Sequence, residues 1–396
     1  MKNRFSRMGN ALLGAMCLLT TCGLSYSCSD DYDLDDTNPS FLGGSIYDEL
    51  KSRGNFETTI KLIDDLDYAD VMSKTGSKTL FVANDDAYAN FFQTTTWTDG
   101  QGQPVRSYNQ LSTNQKRLLL FNSMLNNAYV MEMMANTSGG GTNECLRQVT
   151  QAAATDSVGY WRWDQLPVNE YVATEGEDDY PDFWASYRQQ SRGGIYMALD
   201  ATQPMLTHFL EGQMRSKNIS NDDIAFILGL PEGSWGNENR SYIYNAQVTE
   251  QDVTCLNGYF HVLDRVLQTP TNMAEVIRTN GKTKHFSRML DRFSAPFYNA
   301  NLTQQYQALH PSMSLNDSVF EKRYFAVRSQ GGNQLSTTPD GEAMPGAYPY
   351  LAFDPGWNEY SASSTEAKEV DMGVIFAPSD AAIEQYFLQG SGVALL

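Results

Sequence analysis

Basic residues are scarce: 28 Lys and Arg stand against 47 Asp and Glu, for a formal net charge of −19. No Lys/Arg cluster interrupts this excess, and a surface of that sign repels a phosphate backbone, so nucleic acid is excluded as a partner. Histidine is scarcer still, with His208, His261, His285 and His310 as the full set. The chain has no His-Glu-x-x-His run, no Cys/His spacing suited to zinc and no Gly-x-Ser-x-Gly elbow. Metal-assisted and nucleophilic hydrolysis therefore have no motif here, and no metal, cofactor or catalytic residue is expected. Cysteine is limited to five residues, of which only Cys145 and Cys255 lie beyond the first thirty positions. Two cysteines do not make a disulfide framework: they could pair in an oxidising compartment, and Cys255 could equally be a small buried thiol beside a strand.

What is present is a chain of 396 residues with 41% hydrophobic content, enough for two or three domains with real cores. Its first residues read as a targeting segment. Lys2, Arg4 and Arg7 form a basic head, and the apolar run at 11–24 is too short and interrupted for a comfortable membrane span. Residues 24–31 (LSYSCSDD) resemble a bacterial lipoprotein signal, with Cys28 as the acylated residue and Cys22 as a competing position. Ser29, Asp30, Asp31, Asp33, Asp35 and Asp36 follow Cys28, similar to the acidic tag of surface-exported lipoproteins in some Gram-negative bacteria. The reading is a signal peptide and acylation site at 1–28, an acidic tether at 29–42 and a lipid anchor in the outer membrane facing the cell exterior.

Beyond the tether, residues 79–88 (TLFVANDDAY) carry an apolar run, then Asn84 as a helix cap, then carboxylates suited to a helix N-terminus. The spacing predicts a buried strand running into a helix. The same layout returns at 374–383 (VIFAPSDAAI), which predicts a second strand and helix and hence a repeated unit. Apolar residues at Ile46, Leu50, Ile60, Ile63 and Leu66, broken at Gly54-Asn55, predict two short helices. Residues 273–281 and 286–293 echo that opening. Residues 111–134 read as helical, as does the stretch around Met205 and Met214; 221–228 reads as a capped helix stopping at Gly229. Asn257-Gly258 is a tight-turn signal, and 259–267 reads as a strand.

Residues 79–88 and 257–267 (NGYFHVLDRVL), in this order and after that helical opening, resemble the two signature boxes of the fasciclin-like domain family. The resemblance implies an α+β fold: a wedge of β-strands with packed helices, in which the two boxes are core strands. The boxes lie about 180 residues apart, more than a compact domain of roughly 150 residues provides, so an insertion at about 136–244 is expected within a first domain at 43–270. A second, partial domain is expected at 271–396 with an insertion at about 294–372. No second Asn-Gly-His box follows 374–383, so either the chain is a truncated product of a longer protein, the preferred reading, with 273–396 poorly stable alone, or the strand at Val374 completes a reduced domain by packing on the first. Animal members of the family are linked to adhesion through a Tyr-His pair. The equivalent place here is Phe121-Asn122, so the resemblance does not extend to that contact.

His261, with Asp252 and Asp264 nearby, could suggest an acid-base pair, but a histidine inside a core strand is read as a hydrogen-bonded structural residue. The acidic run at 175–182 lacks the ligand spacing of a calcium loop and reads as a solvated loop. The aromatic residues Trp161, Trp163, Trp184, Tyr187, Trp357 and Tyr360 are the candidate ligand-binding set: exposed, they would stack on sugar rings or anchor a protein partner; buried, they fill the cores of the insertions. The functional expectation is a non-enzymatic surface binding or adhesion lipoprotein whose insertions recognise an extracellular glycan or protein. Two rivals are an accessory lipoprotein of an outer-membrane glycan-uptake system and, below it, an enzyme acting on polysaccharide through paired carboxylates. The oligomeric state is left open.

Overall fold

In a computed structural model the described residues are 43–74, 76–99, 101–134, 147–168, 182–189, 193–198, 205–216, 218–230, 241–268, 271–312, 317–324, 334–337, 343–349, 355–356 and 374–395. Cys28, Cys145, Trp357, Tyr360 and the acidic run up to residue 181 lie outside them.

Three helices come first: α1 (Ile46–Arg53), α2 (Glu57–Asp65) and α3 (Ala69–Lys74). Ser45 caps α1 by accepting the Asp48 amide, and Gly54 ends it at φ 69°, a left-handed conformation that costs a side chain strain. β1 (Lys78–Ala83) follows, buried from Thr79 onward, and runs into α4 (Asp85–Thr94), whose cap Asn84 accepts the Ala87 amide. α5 (Thr113–Phe121) opens on a capping box of Ser112 and Gln115. Then come β2 (Met124–Leu125), β3 (Arg147–Val149), β4 (Val158–Arg162), α6 (Ala185–Gln189) and β5 (Gly194–Ala198). β6 (Met205–Leu210), α7 (Glu211–Ser216), α8 (Asn221–Leu228), β7 (Ser241–Ile243), β8 (Ala246–Cys255) and β9 (Gly258–Leu263) continue the chain. After them come α9 (Met273–Thr279), α10 (Lys284–Asp291), β10 (Ser294–Tyr298), α11 (Ala300–Leu309) and β11 (Val319–Tyr324). β12 (Gln334–Thr337), β13 (Ala343–Pro349) and α12 (Asp380–Gln389) complete the described elements.

The fold is α+β. One sheet has the order β2-β1-β9-β8-β7-β6-β3, a second β10-β11-β5-β4, and β12 pairs with β13 alone. In the first sheet β1 and β9 run parallel from Lys78 opposite Gly258 to Ala83 opposite Leu263. Asn257 sets that pairing. Its carbonyl accepts the Lys78 amide, its side-chain oxygen accepts the Ile46 amide at 2.8 Å, and its side-chain nitrogen donates to the Met72 carbonyl at 2.7 Å. The turn thus also caps α1 and ties down α3, and Leu50, Ile63, Met72, Leu80, Val82 and Phe260 pack together beside it. His261 on β9 is fully buried: its Nδ1 accepts the Asp252 amide at 3.0 Å and its Nε2 donates to the Tyr129 carbonyl at 3.1 Å, while its ring stacks on Phe81. Burial pushes its pKa down, and both nitrogens are committed to structure. Cys255 is a free buried thiol, which burial pushes up to about 12.

The second sheet mixes distant parts of the chain. β4 and β5 come from the segment read as the first insertion, β10 and β11 from beyond α10, and β5 pairs parallel with β11. Asn114 on α5 helps place it, donating to the Val158 carbonyl and the Tyr306 hydroxyl and sharing a 2.8 Å hydrogen bond with His310.

Local structure departs from the sequence reading in three places. Met205–Leu210 is a strand followed by a one-turn helix, not one helix: its buried residues fit either period, and pairing with β3 and β7 decides between them. The helix predicted over 111–134 ends at Phe121, where Met124 and Leu125 turn to pair with β1. The run at 374–376 is not a strand, and no strand among the described residues pairs with it.

The two stretches that open the halves of the chain share local cap geometry. Phe56, before α2, has φ −126° and ψ 31°; Thr283, before α10, has φ −129° and ψ 35°. Asp85 accepts the Glu57 and Thr58 amides of α2, and Asp380 accepts the His285 amide of α10 at 2.8 Å. The Asp85 amide donates to Asn55 and the Asp380 amide to Lys282. Asn84 caps α4 as Ser379 caps α12. The caps of α10 and α12 thus match those of α2 and α4, while residues 374–379, which precede α12 as β1 precedes α4, form no strand.

Asn122 is buried with neither side-chain polar atom hydrogen-bonded. Asn122→Leu replaces two desolvated polar groups by methyls on the same branched skeleton and should raise stability by about 1 kcal/mol in urea unfolding. A loss of that size would mean that the amide is satisfied in solution.

Candidate functional site

β4 places its residues alternately on two faces. Val158 belongs to a cluster with Ala198, Leu302, Tyr306 and Val319 against α11, while Trp161 packs with the cluster of Leu166, Trp184, Tyr187, Ile195 and Met197. On that second face, α9 and α10 bring charged side chains over the sheet. Arg278 lies 5.1 Å from the Trp161 ring and donates through Nε to Glu275 at 2.7 Å. Lys322 on β11 pairs with Asp291 on α10 and lies 5.1 Å from the Tyr324 ring. Burial works against the Lys322 charge, but Tyr324 and Asp291 outweigh it, so its pKa is raised and the ammonium stays charged.

Trp161, Met197, Asn272, Glu275, Lys322, Tyr324 and Gly356 line a recess of about 310 Å³, a figure that includes the solvent at its mouth. Its enclosed volume is only about 20 Å³, room for about one water molecule and far below that of a ligand-binding cavity. Of its lining side chains Lys322 and Glu275 are charged, with opposite sign, while Arg278 and Asp291 pair with them from beside it. What it offers is ring surface and fixed polar side chains. Among the described residues, no group of three or more His, Cys, Asp or Glu is placed to hold a metal ion.

The aromatic set divides sharply. Trp184 is 2% exposed, and its indole N–H donates to the Ser294 carbonyl and hydroxyl at 3.1 and 3.2 Å, which ties α6 to β10. Tyr187 is buried against Phe320. These two hold the second sheet together and do not reach a ligand. Trp161 is half-buried at the recess. Trp163 is 54% exposed just past the end of β4, with its amide held by the Gly193 carbonyl at 2.8 Å. Beside it, Arg162 is fixed by an ion pair to Asp164 and by a 2.7 Å bond to the Gln101 carbonyl. Tyr160, also exposed, stacks edge-on against Tyr196 across the β4–β5 pair. Sequence reasoning missed Arg278, Glu275, Lys322 and Tyr324. Nothing in their local sequence marks them, because they meet Trp161 only through the assembly of the sheet with α9 and α10.

Compared with protein-family models and with curated proteins, the chain matches none. No helix among the described residues is long and apolar enough to cross a membrane.

Proposed function

We propose that this protein is a non-enzymatic, lipid-anchored surface protein, fasciclin-like in scaffold, that binds an extracellular glycan through the second sheet. One observation carries the reading: Trp163 stands exposed in the short turn just past the end of β4, flanked by the hydrogen-bonded polar side chains of Arg162, Asp164 and Gln165. A flat ring with hydrogen-bonding groups at its edge suits a sugar, whose apolar face stacks while its hydroxyls are bonded at the rim. Both carboxylates beside the Trp161 recess are already committed to cations, which leaves neither poised to protonate a leaving group.

Titration calorimetry of the protein against a panel of soluble polysaccharides tests the reading. Binding without product release is expected, and Trp163→Ala should weaken it at least tenfold, about 1.4 kcal/mol, with an unchanged melting temperature. Unaltered affinity would remove Trp163 from the site, and release of shorter saccharides would replace the binder with an enzyme. Mass spectrometry of the mature N-terminus tests the anchor, which predicts an acylated Cys28.

A further inference from the structure

The turn that presents Trp163 is tied to a loop from a distant part of the chain. Arg162 donates through Nη1 to the Gln101 carbonyl at 2.7 Å, and through Nε and Nη2 it forms a two-pronged ion pair with Asp164, both bonds at 3.0 Å. The loop is itself braced: Thr98 bridges to Pro104, and Asp99 accepts the Gln101 and Gln103 amides on one oxygen, each at 2.9 Å. Gly102, at φ 75°, lies so close to the Arg162 guanidinium that a Cβ there has no room. Residues 99–103 and 162–165 together hold one arginine, two aspartates and three glutamines. All three glutamines are exposed, and Gln165 steadies the turn by accepting the Arg162 amide at 3.0 Å.

We propose that this loop and the Trp163 turn form one saccharide site, which takes a neutral glycan and rejects uronates and sulfated sugars. The inference rests on the glycan reading of Trp163 and adds the charge of the ligand and the part of the loop. A side-chain amide both donates and accepts, which matches a sugar hydroxyl, and Gln101 and Gln103 offer two such groups beside the arginine. Arg162 is the one cation of these two segments, and Asp164 already fills its fork. That pairing raises the Arg162 pKa and lowers that of Asp164, so both charges persist at neutral pH. A carboxylate or sulfate on the sugar would have to displace Asp164 or stand beside it unpaired, and the net charge of −19 adds to the repulsion.

Titration calorimetry of the full chain at low ionic strength, with galactomannan and β-glucan as neutral polymers and polygalacturonate and heparin as acidic ones, tests the inference. The acidic polymers should bind at least about tenfold more weakly than the better neutral one. Gln101→Ala keeps the carbonyl that holds Arg162, so it should weaken neutral binding about fivefold at an unchanged melting temperature. Asp164→Asn frees the guanidinium and should strengthen polygalacturonate binding about fivefold. Acidic polymers that bind as tightly as neutral ones, or unaltered affinity in Gln101→Ala, or no gain in Asp164→Asn, would each overturn the inference and leave the glycan reading standing. Binding of none of the four polymers would remove both.

Discussion

Gly258→Ala should destabilise the protein by about 4 kcal/mol or more, enough to leave a domain of ordinary stability largely unfolded. Gly258 has φ 142°, a backbone region closed to ordinary side chains, and a Cβ built there would sit 1.9 Å from the Lys78 carbonyl oxygen. That oxygen is backbone and belongs to the first residue of the parallel β1–β9 pair, so neither partner can move without breaking the register. The neighbouring Asn257 would shift with it. Its three bonds to Lys78, Ile46 and Met72 close the start of α1 and the end of α3, where a buried amide left without a partner costs a further 1–3 kcal/mol or so. Gly212→Ala is the control, because a Cβ on that exposed helical glycine meets nothing within 4 Å and should leave stability equal or slightly higher. Urea unfolding of the two variants checks the pair. A loss below about 1 kcal/mol for Gly258→Ala would mean that β9 does not approach β1 through this residue.

The same Asn-Gly pair explains why parts of the fold could be read from the sequence. Asn84, Ser112, Ser220 and Gly229 act within one turn of their own helices, so their residue types report directly on structure. His261 was legible for a similar reason: its surroundings in β9 are apolar, and a buried imidazole needs two partners, which Asp252 and Tyr129 provide through their backbones. The second sheet was not legible. Gly194–Ala198 and Val319–Tyr324 lie more than a hundred residues apart, and the pairing that joins them leaves no local trace. Trp163 and Trp184 make the same point about the site. They are alike in type and near in sequence, yet one is open to solvent and the other is locked against Ser294. The run at 374–376 failed as a strand prediction because apolar, β-branched residues describe what a strand would bury, while a strand also needs a neighbour.

Acidification should expose the second large effect, at His208. By strand alternation His208 shares a face of β6 with Leu206 and Leu210, which pack with Phe81, Leu125, Met131 and Ile243. It is fully buried, neither ring nitrogen has a hydrogen-bond partner, and burial pushes its pKa down from 6.5 to about 4. Above pH 6.5 the ring is neutral in both folded and unfolded chains and exerts no pH dependence. Between pH 6.5 and about 4 the unfolded chain takes up a proton that the native protein refuses, so stability falls with falling pH. At 1.36 kcal/mol per unit the loss reaches about 3 kcal/mol by pH 4 and then levels off, since below that both states are protonated. The carboxylates act in a different window: Asp65, held down to about 2 by Lys116 and Tyr108, contributes stability that is lost only below its ordinary value of 3.8. His261 and His310 are pushed in the same direction as His208, so His208→Leu should remove the larger share of the slope between pH 6.5 and 4 and leave a remainder. At pH 7.5 the variant should be no less stable than the parent, because it deletes two unsatisfied nitrogens from an apolar site. Urea midpoints at pH 7.5, 6 and 5 decide the matter: parallel declines of parent and variant would show that His208 gains a partner in solution.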